Sequence, residues 1–377
     1  MNGKRFKVEG KVWFGNKKFY SGNVFGEHDK EDEAKKEFFD KAWEGAKMNN
    51  MESLSLLFQK YIPFIDEAKI QERKKNGGTK TENWLNFKDE PISGDSKKLF
   101  LDKIVRYQVL YGKIKKFSDL FKKRVDIQKE NLKNQQYEII LDDCQLKTAS
   151  RLVVGLGAGH VLETSLTLHH IFGIPYIPAS ALKGVVRMVS FWEIVEKQNK
   201  KLDEDIEKLQ KHLYDDEISN SDSEDILKHK LLFGTQNFKG LLVFLDAYPE
   251  IQDNKNNQNN NTNQKDEGIF ELDVMTPHYQ GYYTKNQVPG DWENPNPIIF
   301  LTVKKGITFC FNVLFDRFRS KEISGNGGFP EEVKKIVKNW LGNSSELSGI
   351  VRGWVKKALK EFGVGAKTRL GYGIFDS

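Results

Sequence analysis

The 377-residue sequence has two cysteines and seven histidines, and neither type recurs at metal-ligand spacing. Cys144 and Cys310 each fall within a strand-like run, as expected of buried free thiols in a reducing compartment rather than of a disulfide framework. His160, His169, His170 and His278 form no recognised zinc pattern with each other or with the cysteines; no metal and no cofactor is expected. No cationic leader with an apolar run opens the chain, and its longest apolar runs fall short of a bilayer span. A soluble, cytoplasmic protein with no membrane partner is expected. There is no aspartate between Asp143 and Asp203, and Glu163 is the single acid in the loop region between them.

What is present is charge. Only 38% of the residues are hydrophobic and 30% are charged, with a net charge of +6 and a pI near 8.9. That mild basic excess is compatible with a polyanionic partner. The stretch from Ser150 to Met188 organises the chain. Leu152, Val153 and Val154 read as a strand. Gly155, Gly157 and Gly159 then break it, and Pro175 and Pro178 precede an abrupt helix start. Ser180 is placed to cap that helix, with Leu182, Val185, Val186 and Val189 on one face and Lys183 and Arg187 at i, i+4 on another. A helix start with free N–H groups favours an anion, whereas a lysine in the first turn opposes the dipole. Something negative is therefore expected near Lys183, unless it is merely solvated.

A second glycine-rich stretch closes the chain, from Glu361 to Phe375: EFGVGAKTRLGYGIF. Lys367, Thr368 and Arg369 stand between Gly363, Gly365, Gly371 and Gly373, which suits a loop that wraps a phosphodiester backbone with N–H groups and cations. It is not a nucleotide-binding P-loop. Ala366 replaces the required glycine, and the context is helix, loop, strand rather than strand, loop, helix. The Gly155–Gly159 spacing likewise departs from the dinucleotide fingerprint.

Along the rest of the chain, residues 1–26 read as strand or irregular structure and interleave aromatics with lysines, a pattern that can stack bases or form a small local core. Residues 30–68 and 97–129 read as helical, the second with a basic face. Residues 71–94 read as a loop. Residues 1–135 are thus expected to be a mainly helical N-terminal region that contacts partners. Residues 136–377 are expected to be the core, with insertions at about 201–230 and 251–298. The first insertion is highly charged and solvent-facing; the second contains an Asn-rich tract that cannot bury apolar surface. Stripped of insertions, the core reads strand (137–154), helix (181–200), strand (241–245), strand (307–315), helix (346–362), strand (370–375). This α+β order, βαββαβ, is the ferredoxin-like or RRM-like arrangement.

YIPASALKGVVR (176–187) and GVGAKTRLGYG (363–373) resemble the RAMP superfamily of CRISPR-associated RNA-binding proteins. VVGLGAGHVLET (153–164), LHHIFGIPYIP (168–178) and DVMTPHY (273–279) are similar to the sixth-subunit family of type III-B (Cmr) effector complexes. The resemblance covers about residues 137–377. It implies the same ferredoxin-like core and a non-catalytic backbone subunit near the 3′ end of the guide. The implied partners are CRISPR guide RNA, target RNA and other Cmr subunits. The candidate RNA contacts are Arg151, His160, Ser180, Lys183, Arg187, His278, Tyr279, Gly363, Gly365, Lys367, Thr368 and Arg369. His278, Tyr279, Tyr282 and Tyr283 read as a hairpin thumb that splays bases, or as a tyrosine cluster packing on itself. Two other functions stay open: a metal-independent endoribonuclease that processes repeat RNA through His160 or His278, and a protein–protein adaptor.

Overall fold

The computed structural model describes residues 4–14, 19–28, 33, 37, 63–74, 79–85, 95–106, 108–160, 162–198, 203–214, 217–219, 221–251, 268–278, 280–286, 288–290, 292, 295–325 and 328–376. They divide into two compact units, one of residues 1–114, 155–174 and 260–302, the other of residues 115–154, 175–259 and 303–377.

In the first unit, β1 (Lys4–Phe14), β2 (Phe19–His28), β3 (Pro63–Lys74) and β4 (Thr79–Leu85) form an antiparallel sheet in the order β2-β1-β3-β4. This differs from the helix expected over 30–68 at residues 63–68, whereas Glu33 and Glu37 are helical, and from the loop expected over 71–94 at residues 71–74 and 79–85. Pro63 lacks the N–H that a helix interior needs. Pairing with β1 places Phe64 opposite Trp13 and Ile70 opposite Val8, a long-range ladder that local periodicity does not register. Among the described residues the N-terminal region is therefore mixed rather than mainly helical; residues 30–32, 34–36 and 38–62 of the expected helix lie outside the described residues. Helix α1 (Asp95–Arg106) follows the sheet, and β8 (Phe270–Met275) pairs with β9 (Ile298–Val303). The Asn-rich tract lies outside the described residues.

The second unit is built on β5 (Tyr137–Thr148), β6 (Leu242–Phe244), β10 (Thr308–Asp316) and β11 (Phe375–Asp376), in the order β11-β5-β10-β6; β7 (Tyr248–Glu250) also pairs with β10. Every pairing is antiparallel. Alternation fixes which side chains face inward: Phe309, Phe311, Val313 and Phe315 on β10 are fully buried, and Phe375 meets Phe309 and Phe311 edge-on. Helix α2 (Gln108–Asn134) leads into β5. Helix α3 (Ala179–Lys197) lies between β5 and β6, and α9 (Ser344–Lys357) lies between β10 and β11, preceded by α7 (Arg317–Gly325) and α8 (Glu331–Gly342). The indole Nε1 of Trp354 on α9 donates to Glu193 on α3 at 2.7 Å. The final strand is shorter than expected, because residues 368–370 form a 3₁₀ turn.

The charged insertion at 201–230 is not a solvent-facing tract. It folds into α4 (Asp203–Tyr214) and α5 (Glu224–Phe233), and Leu209, Leu213 and Ile226 pack with Ile194 and Val195 of α3. Beneath them the Lys230 ammonium, fully buried, bonds the Asp222 carboxylate at 3.0 Å. Asp222 also accepts from the Ser219 amide and meets His212 Nε2 at 2.6 Å. Many charges in this stretch are surface charges on amphipathic helices, and two are a buried pair.

Candidate nucleic-acid interface

The closing glycine loop is fastened along the strand-like segment before Gly155. The amide of Ala366 donates to Val153 O at 2.8 Å, and that of Gly373 donates to Arg151 O at 2.7 Å. Gly365, at φ +99°, makes this approach possible: a Cβ there would lie 2.4 Å from Val153 O. Within the loop, the Val364 amide donates to Gly373 O and the Gly363 amide to Ala358 O. Gly363 is buried. These amides are thus occupied by the chain itself, which, of the donors expected around Gly363 to Gly365, takes those of Gly363 and Val364 away from phosphate. The same bonds fix the loop so that Lys367, Thr368 and Arg369 form its outer turn, with Arg369 exposed and Lys367 and Thr368 half-exposed. Lys367 is left-handed, at φ +60°. For a residue with a Cβ this conformation costs about 1 kcal/mol and persists where the surroundings impose it. Exposed Arg151 neighbours the same loop through its backbone carbonyl.

The start of α3 also differs from expectation. The helix begins at Ala179 and its N-cap is Pro178, with no side-chain cap bond. Ser180 is exposed in the first turn and does not cap. The anion at this helix start is Asp246, whose carboxylate accepts from the Ala179 amide at 2.7 Å. The amides of Ala181 and Leu182 donate to Pro178 O. Lys183 is half-buried, and burial, followed by Arg187 and Lys239, holds its pKa below the ordinary lysine value. Arg187 is engaged within the protein. Its Nε donates to His229 Nε2 at 3.4 Å, its Nη2 donates to Leu213 O at 3.3 Å, and the guanidinium lies 4.9 Å from the Tyr214 ring centre.

His229, buried against Arg187, is a residue that pattern reading missed. It accepts from Arg187 through Nε2, so its proton sits on Nδ1, 3.0 Å from Ser190 Oγ. Burial, then Arg187 and Lys230, push its pKa down to about 3. Its one sequence cue is its place among Ile226, Leu227, Leu231 and Leu232.

In the other unit, His160 is half-buried and its Nδ1 accepts from the Leu162 amide at 3.1 Å. Glu163 pairs with buried Lys97 at 2.8 Å. His278 is exposed. Tyr279 lies outside the described residues. Tyr282 and Tyr283, on α6 (Gln280–Lys285), are exposed and meet edge-on. Among the described residues, no cluster of histidine, cysteine, aspartate and glutamate could hold a metal ion, and no helix is long and apolar enough to cross a membrane.

The RAMP superfamily model matches residues 145–376. A Pyrococcus furiosus protein described as CRISPR system Cmr subunit Cmr6 is 30% identical over 378 residues, spanning 87% of this chain and 95% of its own. The chain belongs to the RAMP superfamily, in its Cmr6 family. A second relative, from Saccharolobus solfataricus and also described as Cmr6, is 28% identical over 52% of each chain. Two solved structures are similar in part. One is a cryo-EM structure of a type III-B Cmr-beta bound to cognate target RNA: 21% identity, 74% of this chain and 71% of that chain, TM-score 0.41. The other is the crystal structure of Cmr6 from P. furiosus: 31% identity, 63% of this chain and 97% of that chain, TM-score 0.36. The RAMP match, residues 145–376, spans both motifs, including Lys183 and Lys367–Arg369.

Proposed function

We propose that this Cmr6-family chain is a non-catalytic guide-RNA-binding backbone subunit near the 3′ end of the guide in a type III-B CRISPR ribonucleoprotein. The complex targets RNA in antiviral defence in the cytoplasm. On this reading its partners are the guide, the target RNA and other Cmr subunits. The sheet order, with the last strand beside the first and the third between first and second, supports a ferredoxin-like core whose two helix positions are taken by α3 and α9. The observation that carries the reading is the outer turn Lys367-Thr368-Arg369, presented by a loop whose own amides are tied to Arg151 and Val153. Side-chain cations on a fixed loop contact phosphates without reading sequence, as a subunit that accepts any spacer requires; base pairing supplies the specificity.

The non-catalytic assignment draws on Glu163, the lone acid of its loop region, being held by buried Lys97, and on His160 using Nδ1 to accept a backbone amide. The experiment is salt-dependent binding of the chain to a labelled guide-like single strand, with and without Mg²⁺, followed by a gel. Steep salt dependence with intact RNA, weakened by Lys367→Ala and Arg369→Ala, is the expected result. Cleavage lost on His160→Ala or His278→Ala establishes the processing ribonuclease instead. RNA affinity indifferent to Lys367 and Arg369 establishes the adaptor.

A further inference from the structure

Helix α2 ends at Asn134, and the chain reverses into β5 through Gln136, which is left-handed at φ +64°. The Gln136 carbonyl accepts from the Arg317 amide at 3.1 Å, and its side-chain Oε1 accepts from Lys321 Nζ at 3.0 Å. Arg317 and Lys321 belong to α7. The end of α2, the start of β5 and the start of α7 are thereby tied together, and they border a cavity of about 490 Å³ that lies wholly within the second unit.

The charges around this cavity do not balance. Glu138 accepts from Arg317 Nη1 and from Ser344 Oγ, and Arg317 spends its Nη2 on Leu341 O at 2.9 Å. Asp142 is paired at 2.8 Å with Lys129, whose side chain is 8% exposed. Each lining carboxylate thus has its own cation. Lys133 and Lys321 also line the cavity, and both are exposed. Neither has an ion pair among the described residues; the Lys133 side chain has no hydrogen bond there, and that of Lys321 has the one to Gln136. Two cations remain for an anion from outside.

The lining decides what kind of anion. Sites for small molecules are predominantly apolar, whereas most of this lining is charged or amide, with Tyr137 and Ile139 between. A phosphodiester strand would bring repeated negative charge against Glu138 and Asp142. The cavity also lies at the far end of β5 from the closing glycine loop. β5 runs twelve residues to Thr148, where β11 joins it, so the strand rise sets the two roughly 35 Å apart. A polypeptide meets both signs at once. Its side-chain carboxylates suit Lys133 and Lys321, and its backbone N–H groups suit the remaining lone pairs of Glu138 and Asp142.

We propose that the cavity between α2, β5 and α7 docks an acidic segment of a neighbouring subunit, whose carboxylates pair with Lys133 and Lys321. The proposal rests on the reading of this chain as a subunit of a type III-B complex. It adds a protein contact at the end of the core sheet away from the glycine loop.

The test is zero-length carbodiimide crosslinking, which joins a lysine to a carboxylate that it touches. The material is the complex purified through a tag on this chain from cells that co-express the other Cmr subunits and a guide, and crosslinked peptides are read by mass spectrometry. Lys133 and Lys321 are expected to join to aspartates or glutamates in one segment of one other subunit. Lys133→Glu/Lys321→Glu is expected to retain about tenfold less of that subunit, with an unchanged melting temperature because both side chains are exposed. Lys133→Arg/Lys321→Arg is expected to retain it as wild type does. The affinity of the isolated Lys133→Glu/Lys321→Glu chain for labelled oligouridine is expected to match that of Lys335→Glu/Lys338→Glu, an equal charge change at exposed positions of α8. Crosslinks confined to this chain's own Glu138 and Asp142, or full retention of every subunit by the charge-reversed variant, overturns the docking site while membership of the complex stands. Oligouridine affinity below that of the α8 control assigns the cavity to RNA and overturns it as well. A wild-type chain that brings down no Cmr subunit overturns the complex reading and this site with it.

Discussion

His229 makes this protein's stability depend on pH below the ordinary imidazole value of 6.5. The imidazole is 1% exposed, and burial, Arg187 and Lys230 hold its pKa at about 3 against an ordinary 6.5. Above pH 6.5 the ring is neutral in both folded and unfolded chains, and its full contribution to stability is present. As pH falls below 6.5 the unfolded chain binds a proton that the folded chain refuses. Stability is then lost at about 1.4 kcal/mol per pH unit until the folded pKa is reached. At pH 5 the loss is about 2 kcal/mol, and this figure holds for any folded pKa below about 4. The perturbation is His229→Gln, whose amide can accept from Arg187 and donate to Ser190 but does not titrate. Chemical unfolding followed by tryptophan fluorescence, at pH 7.5 and pH 5, gives the difference between wild type and variant at each pH. That difference should shift by about 2 kcal/mol in favour of the variant on acidification. Subtracting the variant removes the contributions of His212 and the surface carboxylates common to both proteins. A difference that does not change with pH would refute the buried neutral imidazole and, with it, the Arg187–His229–Ser190 arrangement.

Arg187→Ala should lower stability by about 2–4 kcal/mol, since it removes three interactions from a half-buried site, while the salt slope of RNA binding stays as in wild type. The alanine substitutions at Lys367 and Arg369 should do the reverse: melting temperature unchanged, and log–log salt slope reduced by about 0.7 for each phosphate left without its cation. Gly365→Ala should cost about 3 kcal/mol or more in thermal unfolding, because φ +99° and an approach of 2.4 Å to Val153 O cannot both be relieved by a small shift. Lys230→Met should cost about 3–5 kcal/mol by leaving the Asp222 carboxylate buried without its cation. The Lys230→Met/Asp222→Leu double variant should recover much of that in the same unfolding assay.

The parts legible in the sequence were those set by local pattern. The helix from Ala179 and the helices around β5 have strong apolar periodicity, and the structure places elements there; the strand expected to run on to Val154 ends at Thr148, and Leu152 makes only an isolated bridge to Val303. Of the first sheet, β3 and β4 were not legible, because β3 is extended by its partner β1 and not by its own residues. The α4–α5 pair reads as a solvated charge run since pattern counts charges without regard to where they point. Asp222 and Lys230 are eight residues apart and meet only once Glu224–Phe233 is a helix packed on α3. The candidate site was legible as a set of residue types. Which of its cations are engaged was not. Arg187 and Lys183 are alike in sequence context, yet the partners that occupy Arg187 come from α4 and α5, in a stretch that reads as an insertion.

That division bears on how the proposed RNA contact works. A helix start and a glycine loop each suggest a nest of backbone amides closing on a phosphate. Here Asp246 neutralises the first amide of α3, and Val153, Arg151 and the loop itself use the amides of the second motif. An amide nest holds a phosphate in one pose and suits a single ligand of fixed shape. A guide strand carries a different sequence in every complex, and its backbone shifts with the stacking of those bases. Long cationic side chains on a fixed loop follow such shifts, at the cost of ordering a flexible stem. Gly365 and Gly373 therefore serve close packing of backbone on backbone. On the proposed reading the adaptable contacts are left to side chains such as Lys367 and Arg369 on the outer turn of the loop.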